Sequence, residues 1–361
     1  MTTQPTSGGT AGTEAFASGQ PGAQRTSGNL LATEGFVVGI ELSSSGARQS
    51  VALADLNGTI LHRVRRPLEY APDTQTVLGL LDEMIAEVAH PDRLRTGRNI
   101  EPRILRVGVA VGGLVEAREG LVKRFHHTPG WINFPLQDYF AEKLGAPCII
   151  DNNANAAALG EYVRGVGQGE RGIFYVGLGR GIGGGLVING RIFRGATCTA
   201  GEIGHFFVKE DGPICSCGQA GHLEAIASVQ AIVRTMLDLS SEYPETAATL
   251  QRVTEGDTEH ISVDQIFRLA EEGDPIAQRV VHDVYHYLGM ALTNIVHLVN
   301  PSMIILGGPG SSPGERLIAP LRERIQKYCL PEASQSLRIV QSALGPEANL
   351  LGAVTLALQD L

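Results

Sequence analysis

The chain has 361 residues, enough for two domains and a substantial core. Charged residues make up 19% and the hydrophobic set 43%, as in an ordinary globular protein, and the net charge of -9 argues against non-specific attraction to nucleic acid or an anionic membrane surface. No run of about eighteen apolar residues marks a membrane span. The start lacks the basic and apolar regions of a secretory signal, so cytoplasm is the expected location.

In chain order, residues 1–34 read as a disordered polar tail, because Gly, Ser, Thr, Gln and Pro bury too little surface to offset the entropy of ordering. From Gly35, "FVVGIEL" and "RQSVALADLNGTILHRVRRPL" alternate around Asn57-Gly58 and predict a three-stranded meander. A helix is expected over "TQTVLGLLDEMIAEVAH", a strand over "RILRVGVAVGG", a helix near "PLQDYFAEKLG" and a strand at "APCII". "IIDNNANAAALGE", residues 149–161, has the form of a buried strand with a polar tip running into a small-residue helix, where α/β proteins keep their chemistry.

Further on, "IFYVGLGRGIGGGLVINGRIFRG" repeats the meander around Asn189-Gly190, which implies an internal duplication. Residues from about 225 to 299 read as mainly helical, followed by a strand at "MIILGG", a helix after Pro313 and a final small-residue helix at "NLLGAVTLALQD". Strands alternating with helices put the chain in the α/β class, as two halves facing a cleft. The division expected is 35–150 for a smaller domain, joined by the C-terminal helix 347–361, and 151–346 for a larger one.

The strongest chemical signal is "GEIGHFFVKEDGPICSCGQAGHLEA". His205, Cys215, Cys217 and His222 offer four ligands within eighteen residues, and intervening glycines let the chain wrap a point, which suits a closed, structural Zn²⁺ site. Two reduced cysteines and two unrelated histidines are the alternative; five cysteines, an odd number, do not suggest a disulfide framework. Successive glycines in "GLGRGIGGG" and the turn "LGGPG" could direct backbone N–H groups at phosphate, or could be tight turns without ligand. Glu202 and Glu224 bracket the metal segment, either as solvated charges or as acceptors for ligand hydroxyls.

Together these motifs, in this order from about Gly35 to the C-terminus, resemble the ROK family (repressor, open reading frame, kinase) of sugar kinases and sugar-sensing regulators. The resemblance implies the actin-like ATPase (ribonuclease H-like) fold, with sugar and ATP between two α/β domains. It implies sugar contacts from Gly113, Asn152, Asn153, Glu202, His205 and Glu224, with His205 also a zinc ligand through its other ring nitrogen. Loops such as "FHHTPGW" would help select the sugar, with His126, His127 and Thr128 either facing the ligand or on plain surface. Glu41, Ser45, Gly179, Arg180, Gly181, Gly307 and Gly308 fall at nucleotide positions, and a homodimer is expected because dimers are common among relatives.

Three departures shape the functional expectation. Asn153 stands where the family has the aspartate that takes a proton from the attacking sugar hydroxyl, and an amide cannot accept that proton. "ELSSS", Glu41 to Ser45, replaces an Asp-x-Gly-Gly-Thr phosphate turn. Arg180 replaces a threonine, either to clamp phosphate or to fill the nucleotide space. The resemblance therefore implies a hexose- or N-acetylhexosamine-binding protein with a degenerate kinase site, a sensor or regulatory pseudokinase, with Asp151 too far along the strand to replace the base. The alternative is an active ATP-dependent, Mg²⁺-using sugar kinase with an unconventional base. Repressors of the family carry a helix-turn-helix ahead of the sugar domain; residues 1–34 hold no recognition helix, so direct nucleic-acid binding is not expected.

Overall fold

The computed structural model describes residues 35–43, 48–68, 73–90, 103–125 and 130–361. The expected polar tail, Ser44, Ser45, His126, His127 and Thr128 lie outside the described residues. The first sheet forms around β1 (Gly35–Leu42), which is buried along its whole length, as a strand covered on both faces must be. β2 (Arg48–Asp55) and β3 (Ile60–Pro67) complete the meander, with Gly58 at φ +74 in the turn between them. α1 (Thr74–Val88) follows, its first turn capped by the Asp73 carboxylate, which accepts from the Thr76 N–H at 2.7 Å. β4 (Arg103–Val111) then runs parallel to β1.

A short hairpin, β5 (Leu114–Glu116) and β6 (Leu121–Arg124), leads to α2 (Leu136–Leu144) and β7 (Cys148–Asn152), which is parallel to β4. The sheet order is β3-β2-β1-β4-β7. Its core includes the single tryptophan, Trp131, packed between Phe125 and Phe134.

α3 (Asn153–Arg164) opens directly from the end of β7. One expectation changes here: Asn153 is the first helical residue rather than a strand residue on the same face as Asp151, two positions away. The cause is local: the Asn152 side chain accepts from the Ala154 N–H at 2.8 Å, and that cap ends the strand.

The second sheet repeats the first. β8 (Gly172–Leu178), β9 (Ile182–Ile188) and β10 (Arg191–Ile192) form the meander, and Asn189 and Gly190 take φ +50 and +78, both left-handed as a two-residue hairpin turn requires. A helical segment follows: α4 (Glu224–Ala227), α5 (Val229–Ser240), α6 (Pro244–Val253), α7 (Val263–Glu271) and α8 (Pro275–Val299). Asp274 caps α8 by accepting from the N–H groups of Ile276 and Ala277 at 3.0 and 2.9 Å. β11 (Met303–Gly307), α9 (Glu315–Tyr328), α10 (Pro331–Ser334) and β12 (Arg338–Gln341) complete the order β10-β9-β8-β11-β12. In both sheets an antiparallel meander is extended by two parallel strands, so the duplication is present in the topology.

The final helix, α11 (Ala348–Leu358), returns to the first sheet: Leu350, Val354 and Ala357 pack with Val37, Ala52 and Ala54. It also crosses α3 at close range. A Cβ on Gly352 would lie 2.1 Å from the Ala156 carbonyl oxygen, so glycine is required at that crossing. Among the described residues no helix is long and apolar enough to cross a membrane.

Candidate functional site

A cleft of about 610 Å³ opens between the sheets. On one side stands the β7–α3 junction. The Asn152 side chain is doubly committed, its Oδ1 to the helix cap and its Nδ2 donating to the Gly113 carbonyl at 2.9 Å. Gly113 is packed so that a Cβ would lie 2.6 Å from the Arg124 carbonyl oxygen. The Asn153 side chain lines the cleft and makes no hydrogen bond to another described residue.

Asp151 is directed elsewhere. It is 2% exposed and accepts from the Asn152 N–H at 2.8 Å and Asn155 Nδ2 at 2.9 Å. Arg194 donates to its other oxygen from both Nε and Nη2, each at 2.7 Å. Burial raises the Asp151 pKa, with the Arg194 guanidinium and the N–H donors pulling against it. With both oxygens engaged, this carboxylate is a structural tie between the sheets.

The opposite wall comes from the loop after β10. Thr199, Glu202, His205, Ser216, Cys217 and Glu224 all line the cleft. Burial raises the Glu202 pKa, and its carboxylate lies 3.9 Å from His205 Nε2. The other ring nitrogen of His205 faces away from Glu202: Nδ1 is 3.3 Å from His222 Nδ1 and 3.8 Å from Cys215 Sγ, while Cys217 Sγ is 3.2 Å from His222 Nδ1. All four ligand atoms lie within 4.8 Å of one another. Bonds of about 2.0 Å to nitrogen and 2.3 Å to sulfur give tetrahedron edges of roughly 3.3–3.8 Å, and the separations of 3.2, 3.3 and 3.8 Å within the set are on that scale, as a metal bound by these residues would need. Glu224 locks this loop to the glycine-rich hairpin, accepting from the Ile182 N–H at 3.0 Å and Ser216 Oγ at 2.7 Å. A Cβ at Gly181 would lie 2.3 Å from Glu224 Oε2, so that glycine has a packing cause independent of any phosphate.

The remaining end of the cleft is lined by Ser43, Tyr175, Gly179, Arg180, Gly181, Gln230, Gly308, Pro309 and Asn349. The Gly179 N–H donates to the Gly181 carbonyl at 2.9 Å, closing the turn on itself. Two residues expected at the nucleotide are not on this wall. Glu41 is 9% exposed; it accepts from Asn349 Nδ2 at 2.9 Å and Ser43 Oγ at 3.3 Å, and burial raises its pKa. Gly307 lies under the Tyr175 ring, whose hydroxyl would be 2.1 Å from an added Cβ. Arg124, Thr199, Gln230 and Asn349 line the cleft without having been singled out from sequence; only Asn349, opening a small-residue helix, carried a local signal.

Two sheets of matching strand order about a polar cleft define the actin-like ATPase fold of sugar kinases. The chain belongs to the ROK family, whose profile matches residues 37–360. A glucokinase of Thermotoga maritima is 32% identical over 320 residues, 89% of this chain and 96% of that enzyme. A xylose repressor of Caldicellulosiruptor bescii is 28% identical over 327 residues, 91% of this chain and 79% of the repressor. The crystal structure of a ROK family glucokinase from Streptomyces griseus in complex with glucose and AMPPNP superposes with a TM-score of 0.74 at 29% identity, covering 90% of this chain and 99% of that one.

Proposed function

We propose that the protein binds a hexose or N-acetylhexosamine in this cleft and has lost most or all kinase chemistry, serving as a sugar sensor or regulatory subunit. The observation that carries this reading is the β7–α3 junction. Asn153 offers the cleft a carboxamide, which can hold a hydroxyl but cannot take its proton, and loss of a general base removes on the order of 10²–10⁴ in rate. Asp151 does not stand in, because Arg194, Asn152 and Asn155 occupy both its oxygens.

Glu202, His205 and Glu224 supply the polar wall for sugar hydroxyls in this reading. A structural zinc bound by His205, Cys215, Cys217 and His222 would hold the His205 ring with Nε2 toward the cleft. Turnover of ATP and Mg²⁺ with glucose, N-acetylglucosamine or N-acetylmannosamine is the test: about 10 per second, an ordinary enzyme rate, would overturn the reading. A sugar-induced rise in thermal stability without ATP supports it.

A second reading, an active ATP-dependent sugar kinase, is favoured by Arg180 on the cleft wall at the glycine turn. Phosphoryl transfer rests largely on positioning and charge stabilisation, which a guanidinium can supply. Asn153→Asp separates the two, since activity rises if the natural site is disabled and falls if the amide is part of a working one.

A further inference from the structure

The β5–β6 hairpin reaches the loop after β10 at a second depression beside the cleft, lined by Ala117, Arg118 and residues 192–196. Arg118, in its turn, donates from Nη1 to the Ala196 carbonyl at 2.8 Å and from Nη2 to the Gly195 carbonyl at 2.6 Å. Glu116, at the end of β5, accepts from Cys198 Sγ at 2.9 Å. All three partners belong to the loop Arg194–Ala200, which is closed by the Ala200 N–H donating to the Arg194 carbonyl at 3.1 Å.

That loop begins at the arginine held by Asp151 and runs through Thr199 into Glu202, both of which line the cleft. Cys198 takes φ +55, a left-handed conformation that a residue with a Cβ adopts only when its surroundings impose it. The hairpin also lines the cleft, through Leu114 and Arg124, which face each other in register. One short element therefore both walls the cleft and grips the loop that leads into Glu202.

We infer that Arg118 and Glu116 are positioning residues: they clasp the loop Arg194–Ala200 from outside the cleft and so set the affinity of the cleft for sugar. The affinity part rests on the sugar-binding reading above, whereas the clasp itself does not. A loop already ordered before ligand arrives spares binding the entropy of ordering it. Two successive carbonyls call for the guanidinium fork, which a lysine ammonium matches only in part.

The test uses the full chain and two readouts. Hydrogen–deuterium exchange over residues 194–202 is followed without sugar, and titration calorimetry is run with glucose and with N-acetylglucosamine. Arg118→Met, which removes both hydrogen bonds to the loop, is expected to speed exchange there and to weaken sugar binding by about tenfold, a fraction of what two bonds from a charged donor contribute to loop order. Arg118→Lys is expected to fall between Met and wild type, and Glu116→Ala, which leaves Cys198 without its acceptor, to speed exchange around residue 198 and weaken sugar binding by a smaller factor than Arg118→Met. Asp274→Ala, remote from the loop in sequence and contacts, controls for general destabilisation and should move neither readout.

Wild-type exchange at 194–202 in Arg118→Met overturns the clasp whatever the ligand. A loosened loop with unchanged sugar affinity overturns its role in binding. If the wild-type chain takes up neither sugar, the functional reading fails, and the exchange result still decides the clasp.

Discussion

The two walls of the cleft differ in what their polar groups are doing. On the metal-loop side, Glu202 and the Nε2 edge of His205 face the cleft, held from behind by a cluster of nitrogen and sulfur atoms. On the β7–α3 side the carboxylate at the junction, Asp151, is turned inward and consumed by four donors, and the residue lining the cleft is Asn153. The first wall turns its acidic and imidazole groups toward the cleft, and the second spends Asp151 on holding structure together.

Substitutions can break or sharpen that contrast, and the largest expected effect comes from placing a carboxylate at position 153. Asn153→Asp should raise ATP-dependent sugar phosphorylation by roughly 10²–10⁴ in a coupled assay of ADP release, with sugar affinity little changed. Next is the tie behind that wall. Arg194→Ala leaves the buried Asp151 carboxylate without its cation and should cost about 3 kcal/mol in urea unfolding.

On the other wall, removing metal with a chelator should weaken sugar binding by about 10–100-fold, read as loss of the sugar-induced thermal shift and restored by added Zn²⁺. The smallest effect serves as a reference for both walls. Asp274→Ala removes a cap from α8 and should cost about 1 kcal/mol while leaving sugar affinity as it was.

Much of this architecture was legible because local chemistry and global topology agree. The apolar run of β1, the Asn57-Gly58 and Asn189-Gly190 turns and the glycine-rich second meander announce the duplication in sequence. His205, Cys215, Cys217 and His222 were legible as a set because their spacing is short, and the structure brings them together.

What escaped was either short or distant. β5, β6 and β12 have three or four residues each, too few for an alternation to register. The Arg194–Asp151 pair joins residues 43 apart, and no local pattern encodes such a partner. Asn153 was misplaced on a strand because the Asn152 cap, which starts α3 one residue earlier, depends on a backbone turn that composition does not specify.

The seating of α11 on β1 and β2 also bears on how the chain is made. Val37, Ala52 and Ala54 are translated well before their covering residues Leu350, Val354 and Ala357. At about 5–20 residues per second that apolar face waits roughly 15–60 s for its lid. A nascent chain stalled before residue 348 should therefore recruit holdase chaperones to its first sheet, and emergence of α11 should dismiss them.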